Sequence, residues 1–497
     1  MRSWFYPVLV FLLFLIPRTL FLSAYPPLFY DEGILIQTGQ YIHHGILGNP
    51  FVYPQNFPPI APFLSSLLPT SFFWQRLPFA LYGTFSGVLL FFLLRRYNLK
   101  LALASSILFS FSPVLFDNRT AELTNGTALL FLLSIYFFLH FKHPTFSSIH
   151  YTLSSNPKFL LLSGLAAGLS FSFNYLGFAS ILFVFFQTFI SRLSFKQTLL
   201  WWSSTAAGLS VFFLFNFFID GKYFLGDLLS YVIPNSSTTV STTDPFSKLL
   251  FTFNSLLFGN AVGLVLPFTE NLFLSLFTLM GFIATVLVLF TKRKTLSRDF
   301  LLAAFLSIII TFYVGSSLLY WVYFTILLPF YCLSIIVLLT DVKLPLRFIG
   351  TILLIFSLLS LLSFYGTISN YNSDFSSTVS WLSTNQHGLV AADPTIDSQL
   401  PYNTSVNLII VIFSNHPFNY HEWNTFYASR LHGNLSLSRF SFIVIDPNIR
   451  NVAVQSPTVN SFIQNIQSNW TLSQTFGQYS VYQNPNSTLI FATTFNH

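Results

Sequence analysis

Apolar runs recur through the first 366 residues of the chain, each close to the roughly 17–25 residues that cross a bilayer as a helix. They fall at 4–24, 78–94, 101–116, 126–141, 159–173, 177–191, 198–218, 271–290, 301–317, 324–340 and 348–366. The pattern predicts a polytopic α-helical membrane protein of about eleven transmembrane helices, with its two ends on opposite sides of the bilayer. One further apolar run, 248–267, is interrupted by Asn254 and Asn260 and reads as a re-entrant or interfacial helix.

After about residue 367 the pattern changes. Apolar runs shrink to strand length in "HGLVAA", "VNLIIVIF" and "RFSFIVID", and helix-like stretches, "HEWNTFYASRL" and "SPTVNSFIQNIQS", stand between them. "YSVYQNP" and "STLIFATTF" read as a closing hairpin. Strands alternating with helices predict a small α/β domain over 367–497. It follows a membrane domain over 1–366, whose first loop runs from 25 to 77.

Composition excludes a soluble enzyme: 7% of residues are charged and 53% hydrophobic, where a soluble domain carries about 25% charged residues. The 64 Phe and 23 Tyr suit lipid-facing and interfacial surfaces. A net charge of +7 does not point to nucleic acid, because the basic residues sit in short clusters between apolar runs. Alternate connections gather Arg2; Arg95, Arg96 and Lys100; Lys142 and Lys158; Arg192 and Lys196; Lys292, Arg293, Lys294 and Arg298; and Lys343 and Arg347. By the positive-inside rule that side, with the N-terminus, is cytoplasmic. The opposite side then carries the first loop, the 219–247 loop and the α/β tail. The sequons at Asn118, Asn125, Asn235, Asn403, Asn434, Asn469 and Asn486 fall on it or at its edge. The single cysteine, Cys332, allows no disulfide framework and reads as a core residue. The first apolar run has no small-residue cleavage site before "YPPLFYDEG" and is read as a retained membrane helix.

Against this background one polar feature stands out. Asp31 and Glu32 lie side by side in "FYDEGILIQTGQYIHHGIL", in a chain with only 15 acids. Ile34, Leu35, Thr38, Tyr41 and Ile42 recur at helical spacings and predict a short amphipathic helix along the membrane plane. "GNPFVYPQNFPPIAP" follows, and its prolines fix φ and remove donors, so it predicts a rigid non-helical loop. Two unshielded like charges on such a loop favour proton uptake by one of them, which suits general-base work. The plain alternative is a solvated interfacial pair. His43 and His44 serve as interfacial hydrogen-bonding residues, or join the acids around a divalent cation.

Other function classes fit less of the pattern. A transporter or channel would place charges or broken helices at mid-membrane, and the apolar runs hold almost no acids away from their ends. A non-catalytic membrane scaffold displaying the tail would need no acid pair.

The order of elements in "FLIPRTLFLSAYPPLFYDEGILIQTGQYIHHGILGNPFVYPQNFPPIAPFLSSLLP" and "FFWQRLPFALYGTFSGVLLFFLLRRY" resembles the start of the membrane glycosyltransferases with the C-type fold (GT-C). It is most similar to those using polyprenyl-phosphate sugars, the protein O-mannosyltransferases and the aminoarabinose-to-lipid-A transferases. The shared elements are Arg18 late in the first helix, the Asp31-Glu32 pair, and a Tyr-x-Pro then Pro-Pro element (Tyr53, Pro54, Pro58, Pro59). An Arg-x-Pro opening the next helix (Arg76, Pro78) and an Arg…Glu before a later one (Arg119, Glu122) complete the set. The likeness is good over residues 10–140, extends to about 200 and is architectural beyond.

The resemblance implies transfer of a sugar, a hexose such as mannose, from a polyprenyl or dolichyl phosphate to an acceptor hydroxyl at the extracytoplasmic face, with inversion. Asp31 would be the general base, and Glu32 would orient the acceptor or hold the sugar. Arg76 would grip the donor phosphate with its bidentate fork. Tyr41, Tyr53, Pro58, Arg119 and Glu122 complete the expected substrate contacts. The implied partners are the lipid-linked donor, membrane lipids and a protein, lipid or glycan acceptor.

Overall fold

The computed structural model describes residues 4–20, 22, 30–44, 60–95, 98–112, 124–142, 156–220, 245–258, 268–290, 298–314, 325–341, 351, 355, 358–359, 362, 373–385, 388–401, 404–412 and 436–485. Its first part is helical. In chain order the helices are α1 (Phe5–Thr19), α2 (Tyr30–His43), α3 (Ile60–Ser66), α4 (Phe72–Arg95), α5 (Leu99–Ser110), α6 (Thr124–Lys142) and α7 (Pro157–Phe171). Then follow α8 (Phe178–Ile190), α9 (Phe195–Asp220), α10 (Pro245–Phe258), α11 (Phe268–Phe290), α12 (Arg298–Val314) and α13 (Leu328–Asp341).

The apolar runs therefore fold as helices. Three of them among the described residues, Phe72–Arg95, Thr124–Phe141 and Phe195–Phe218, are long and apolar enough to cross a membrane, and shorter apolar helices accompany them. The span expected at 348–366 lies outside the continuously described residues. α10 stands where the interrupted run placed an interfacial helix. α3 begins at Ile60 and contains Pro62, so helix starts inside the stretch expected to be non-helical. The reason is position: a proline in the first turn gives up an N–H that has no intrahelical partner there.

An aromatic-rich core joins α1 and α4 to α13, with Phe14, Phe91, Phe131, Trp201, Phe305 and Tyr331 buried in it, while α2 and α3 pack with α4 in a second cluster around Leu35, Ala61 and Phe79. Cys332 is buried in the first core, as its apolar surroundings predict. Phe138 stacks on Trp201 with ring centroids 4.6 Å apart. α7 and α9 approach most closely where both carry glycine. A Cβ on Gly168 would stand 2.1 Å from the Thr205 carbonyl oxygen, so only glycine fits. Small residues spaced by four are the usual way for membrane helices to gain van der Waals contact that apolar lipid cannot supply.

The tail builds α14 (Ser373–Asn385), β1 (Leu389–Ala392), α15 (Pro394–Asp397), β2 (Ser405–Asn407), α16 (Leu408–Ile412), β3 (Phe440–Ile445), α17 (Pro447–Gln455), α18 (Pro457–Asn469), β4 (Thr471–Phe476) and β5 (Tyr479–Gln483). The sheet order is β2-β1-β3-β5-β4. β2, β1 and β3 are parallel, and β5 and β4 extend the sheet antiparallel. β3 is buried at every position, as a strand covered on both faces should be.

Two local expectations change. "VNLIIVIF" is strand only to Asn407, and Leu408–Ile412 turns helical, an ambiguity that short apolar runs carry. "YSVYQ" pairs with the preceding Thr471–Phe476, a polar edge strand that hydrophobicity does not reveal. The stretches "HEWNTFYASRL" and "STLIFATTF" lie outside the described residues.

The sheet does not stand apart from the first loop. Alternate strand residues face opposite sides, and α2 reaches both. Ile36 packs with Val390, Ala392, Phe442 and Val444 on one face. Tyr41 packs with Ala391, Val406 and Ile443 on the other.

Asp393 and Asp446 follow the adjacent parallel strands β1 and β3, and both are buried. Asp393 accepts from the Thr395 backbone N–H at 2.9 Å, and Asp446 caps α17 through Ile449 N–H at 2.8 Å. Burial pushes the Asp393 carboxyl up, against its hydrogen bonds from Thr395 and Asn448. Burial, and then the Asp393 charge, push Asp446 well up. The native state thus keeps a proton that the unfolded chain releases, so stability is greatest in acid and is lost as pH rises through the folded pKa. Asp446→Asn keeps a capping oxygen but removes the charge. It should flatten the fall in unfolding temperature of detergent-solubilised protein as pH rises above the ordinary Asp range. An unchanged pH slope would exclude this pair as its source.

Candidate functional site

The acid pair lies in the first turn of α2, where the positive end of the helix dipole stabilises carboxylates. Asp31 and Glu32 are consecutive, so their Cα positions are separated by about 100° around the helix axis. Glu32 is 1% exposed and meets Arg76, 0% exposed, in α4. Arg76 Nε donates to Oε1 at 2.6 Å and Nη2 to Oε2 at 2.8 Å, while Nη1 donates to the Leu22 carbonyl at 3.0 Å. The guanidinium also lies over the Phe72 ring, 4.8 Å from its centroid. Glu32 is thus shielded rather than one of two unshielded charges. The fork that sequence offered to a donor phosphate is turned toward Glu32 inside the protein.

Arg18, at the end of α1, is buried as well. It lies over Phe14 at 4.6 Å and donates to the Phe14 carbonyl at 3.2 Å and to Ser110 Oγ at 3.5 Å. Its contacts tie α1 to α5.

The opposite flank of α2 meets the C-terminal domain. Gln37 donates to Asp397, which also accepts from Ser405 Oγ, and Gln40 Nε2 donates to the Ser398 carbonyl at 2.8 Å. Gly33 lies against the backbone of Pro394 and Thr395. A Cβ there would come within 2.4 Å of both. The helix bearing the acids is clamped between α4 and the turn after β1. Gln37, Gly33 and Asp397 escaped the sequence reading, because their partners lie some 360 residues away.

The other expected residues divide plainly. Tyr41, expected at a substrate, is 2% exposed and is buried under the sheet, where its ring fills the core with Val406 and Ile443. Tyr53, Pro58, Arg119 and Glu122 lie outside the described residues. Among the described residues no group of three or more His, Cys, Asp or Glu is placed to hold a metal. His43 is eleven residues beyond Glu32, about 16 Å of helix. The acids and histidines therefore do not converge on one cation.

No protein-family model and no curated protein sequence matches the chain. Among solved structures, ArnT from Cupriavidus metallidurans in the apo state matches with a TM-score of 0.52 and 12% identity, over 98% of this chain and 99% of that one. The likeness is one of fold, over nearly the whole of both chains.

Because two buried ions depend on each other, Glu32→Gln should cost about 3–5 kcal/mol by stranding the Arg76 charge. Glu32→Met with Arg76→Met should be less destabilised than either single change. Unfolding temperatures in detergent decide this, and a Glu32→Gln protein as stable as the parent would mean the pair carries no structural load.

Proposed function

We propose that the protein is a membrane glycosyltransferase that moves a sugar, a hexose such as mannose, from a polyprenyl phosphate to an acceptor hydroxyl. The observation that carries the reading is an Asp-Glu pair on the first-loop helix, locked to α4, within a chain sharing the ArnT fold from end to end. ArnT is an aminoarabinose transferase of the GT-C class. The membrane would hold the donor lipid, so its anomeric carbon waits at the surface where α2 begins.

On this reading Asp31 takes the proton of the acceptor hydroxyl. The oxygen attacks the anomeric carbon from the face opposite the phosphate and forms the new glycosidic bond. The carbon–oxygen bond to phosphate breaks, its electron pair leaves with the polyprenyl phosphate, and one displacement inverts the centre. The leaving group is already anionic and needs a cation more than a proton. Glu32 and Arg76 act as positioning residues that fix the turn on which Asp31 stands. Tyr53, Pro58, Arg119 and Glu122 are proposed to line the substrate path.

The proposed orientation puts the N-terminus in the cytoplasm, and α2 and the C-terminal domain outside the cell membrane. Ser380 is exposed on α14, and the only native cysteine, Cys332, is buried. Ser380→Cys should therefore react with a membrane-impermeant maleimide on intact cells. Reaction only after lysis would invert the topology.

Asp31→Asn keeps shape and removes the base. It should depress sugar transfer by about 10² or more while the protein still binds a radiolabelled polyprenyl-phosphate sugar. Sorting the label into protein, lipid or glycan would identify the acceptor class. Near-normal turnover in the variant would remove Asp31 as the base, and absence of sugar transfer by the unaltered protein would remove the glycosyltransferase reading.

A further inference from the structure

A cleft of about 610 Å³ opens between the far end of α2, the turn joining α3 to α4, and the C-terminal domain. Its lining contains no Asp, Glu, Lys or Arg among the described residues. Much of its polar surface is fixed from behind. Gln75 holds the α3–α4 turn, donating to the Ser65 carbonyl at 3.1 Å and to the Pro69 carbonyl at 3.0 Å, and accepting from Ser65 Oγ at 2.5 Å.

Three lining residues use a donor on the protein. Gln40 Nε2 donates to the Ser398 carbonyl at 2.8 Å, and Gln399 Nε2 to the Thr70 carbonyl at 3.2 Å. His43 Nδ1 lies 3.1 Å from the Ser66 carbonyl, which can only accept, so this nitrogen carries the proton. Each glutamine keeps its Oε1 as an acceptor, Gln40 also keeps a second N–H, and His43 keeps its Nε2, so the wall can both accept from and donate to a ligand. Leu67, Leu68, Leu400 and two prolines add apolar surface beside them.

A ligand matching this wall brings hydroxyl groups that both donate and accept, together with some apolar C–H faces. Phosphate and carboxylate bring acceptors alone, and no described Lys or Arg lines the cleft to meet their charge. From Asp31 to Gln40 and His43 is nine to twelve residues, about 13–18 Å along α2. That separation exceeds one sugar ring. We propose that the cleft holds an uncharged glycan segment of the acceptor, a few units from the hydroxyl that receives the new sugar. This rests on the glycosyltransferase reading and narrows it to a glycan-bearing acceptor.

The test uses the full-length protein in a zwitterionic detergent, because sugar-headed detergents would compete. Neutral tetrasaccharides (mannotetraose, maltotetraose and cellotetraose) are compared with their monosaccharides, with tetragalacturonate and with a Ser/Thr-rich peptide. Readouts are titration calorimetry and acylation of His43 by diethyl pyrocarbonate, followed by mass spectrometry. At least one neutral tetrasaccharide should bind and protect His43 while its monosaccharide does not. Gln399→Leu and Gln40→Leu should each weaken that binding by about 3–10-fold, the loss of one hydrogen bond. Gln40 and Gln399 are both partly exposed, so neither substitution opens a buried cavity. Protection by none of the tetrasaccharides, or equal protection by tetragalacturonate or peptide, overturns the proposal. Tetrasaccharide binding in a protein without transferase activity would remove the enzyme reading and leave the cleft as a glycan site. Transferase activity without tetrasaccharide binding does the reverse.

Discussion

Burying Glu32 and Arg76 costs each its water, a penalty of several kcal/mol per ion. Two charge-assisted bonds of 2.6 and 2.8 Å offset it, together with the Leu22 carbonyl, which takes a third guanidinium donor. Neither ion tolerates that environment alone. The exit of α1, the first turn of α2 and the start of α4 therefore have to arrive together, although Glu32 and Arg76 are 44 residues apart in sequence. Replacing the pair by apolar residues would save the desolvation cost. Its retention makes sense where orientation matters more than stability, because a bidentate fork fixes the rotation of α2 about its own axis in a way that apolar contact does not.

That rotation sets the rest. With Glu32 turned to α4, Gly33 comes against the turn after β1, where a side chain would strike the Pro394 and Thr395 backbone. Ile36 and Tyr41 then enter opposite faces of the sheet, and Gln37 meets Asp397. A short helix from the first loop becomes part of both cores of the C-terminal domain. The membrane helices and the sheet are consequently joined through one rod, whose beginning carries the acids and whose end borders the polar cleft.

Much of this was legible in the sequence, and the boundary of what was legible is physical. The long helices follow from hydrophobic length alone, and the alternation of "LVAA" and "FSFIVI" with capped helices announced an α/β tail. The amphipathic reading of α2 gave the right helix but the wrong environment. Tyr41 belongs to the apolar stripe predicted to lie along the membrane plane, whereas it and Ile36 are core residues of a domain more than 300 residues downstream. Periodicity reports that a face is apolar; it does not say what covers it. Likewise Asp31 and Glu32 are equivalent as letters. Only the three-dimensional position of Arg76 shows that one of them is an internal counter-ion. β4 escaped because an exposed edge strand of Thr, Ser and Gln has no hydrophobic signature.

The pairing also bears on what kind of base Asp31 would be. Glu32 is engaged by Arg76, so on this reading Asp31 acts on the acceptor without it. The proposed chemistry asks little of its base. A phosphate leaving group departs as an anion without help from an acid, and the acceptor hydroxyl needs to lose its proton only as the new bond forms. What such a reaction does need is alignment of a membrane-tethered donor with an acceptor arriving from water, a service worth several kcal/mol when the geometry is held. The ion pair, the glycine contact and the two sheet cores all act on alignment and none on basicity, so on this reading the fold spends its few charges on holding Asp31 still.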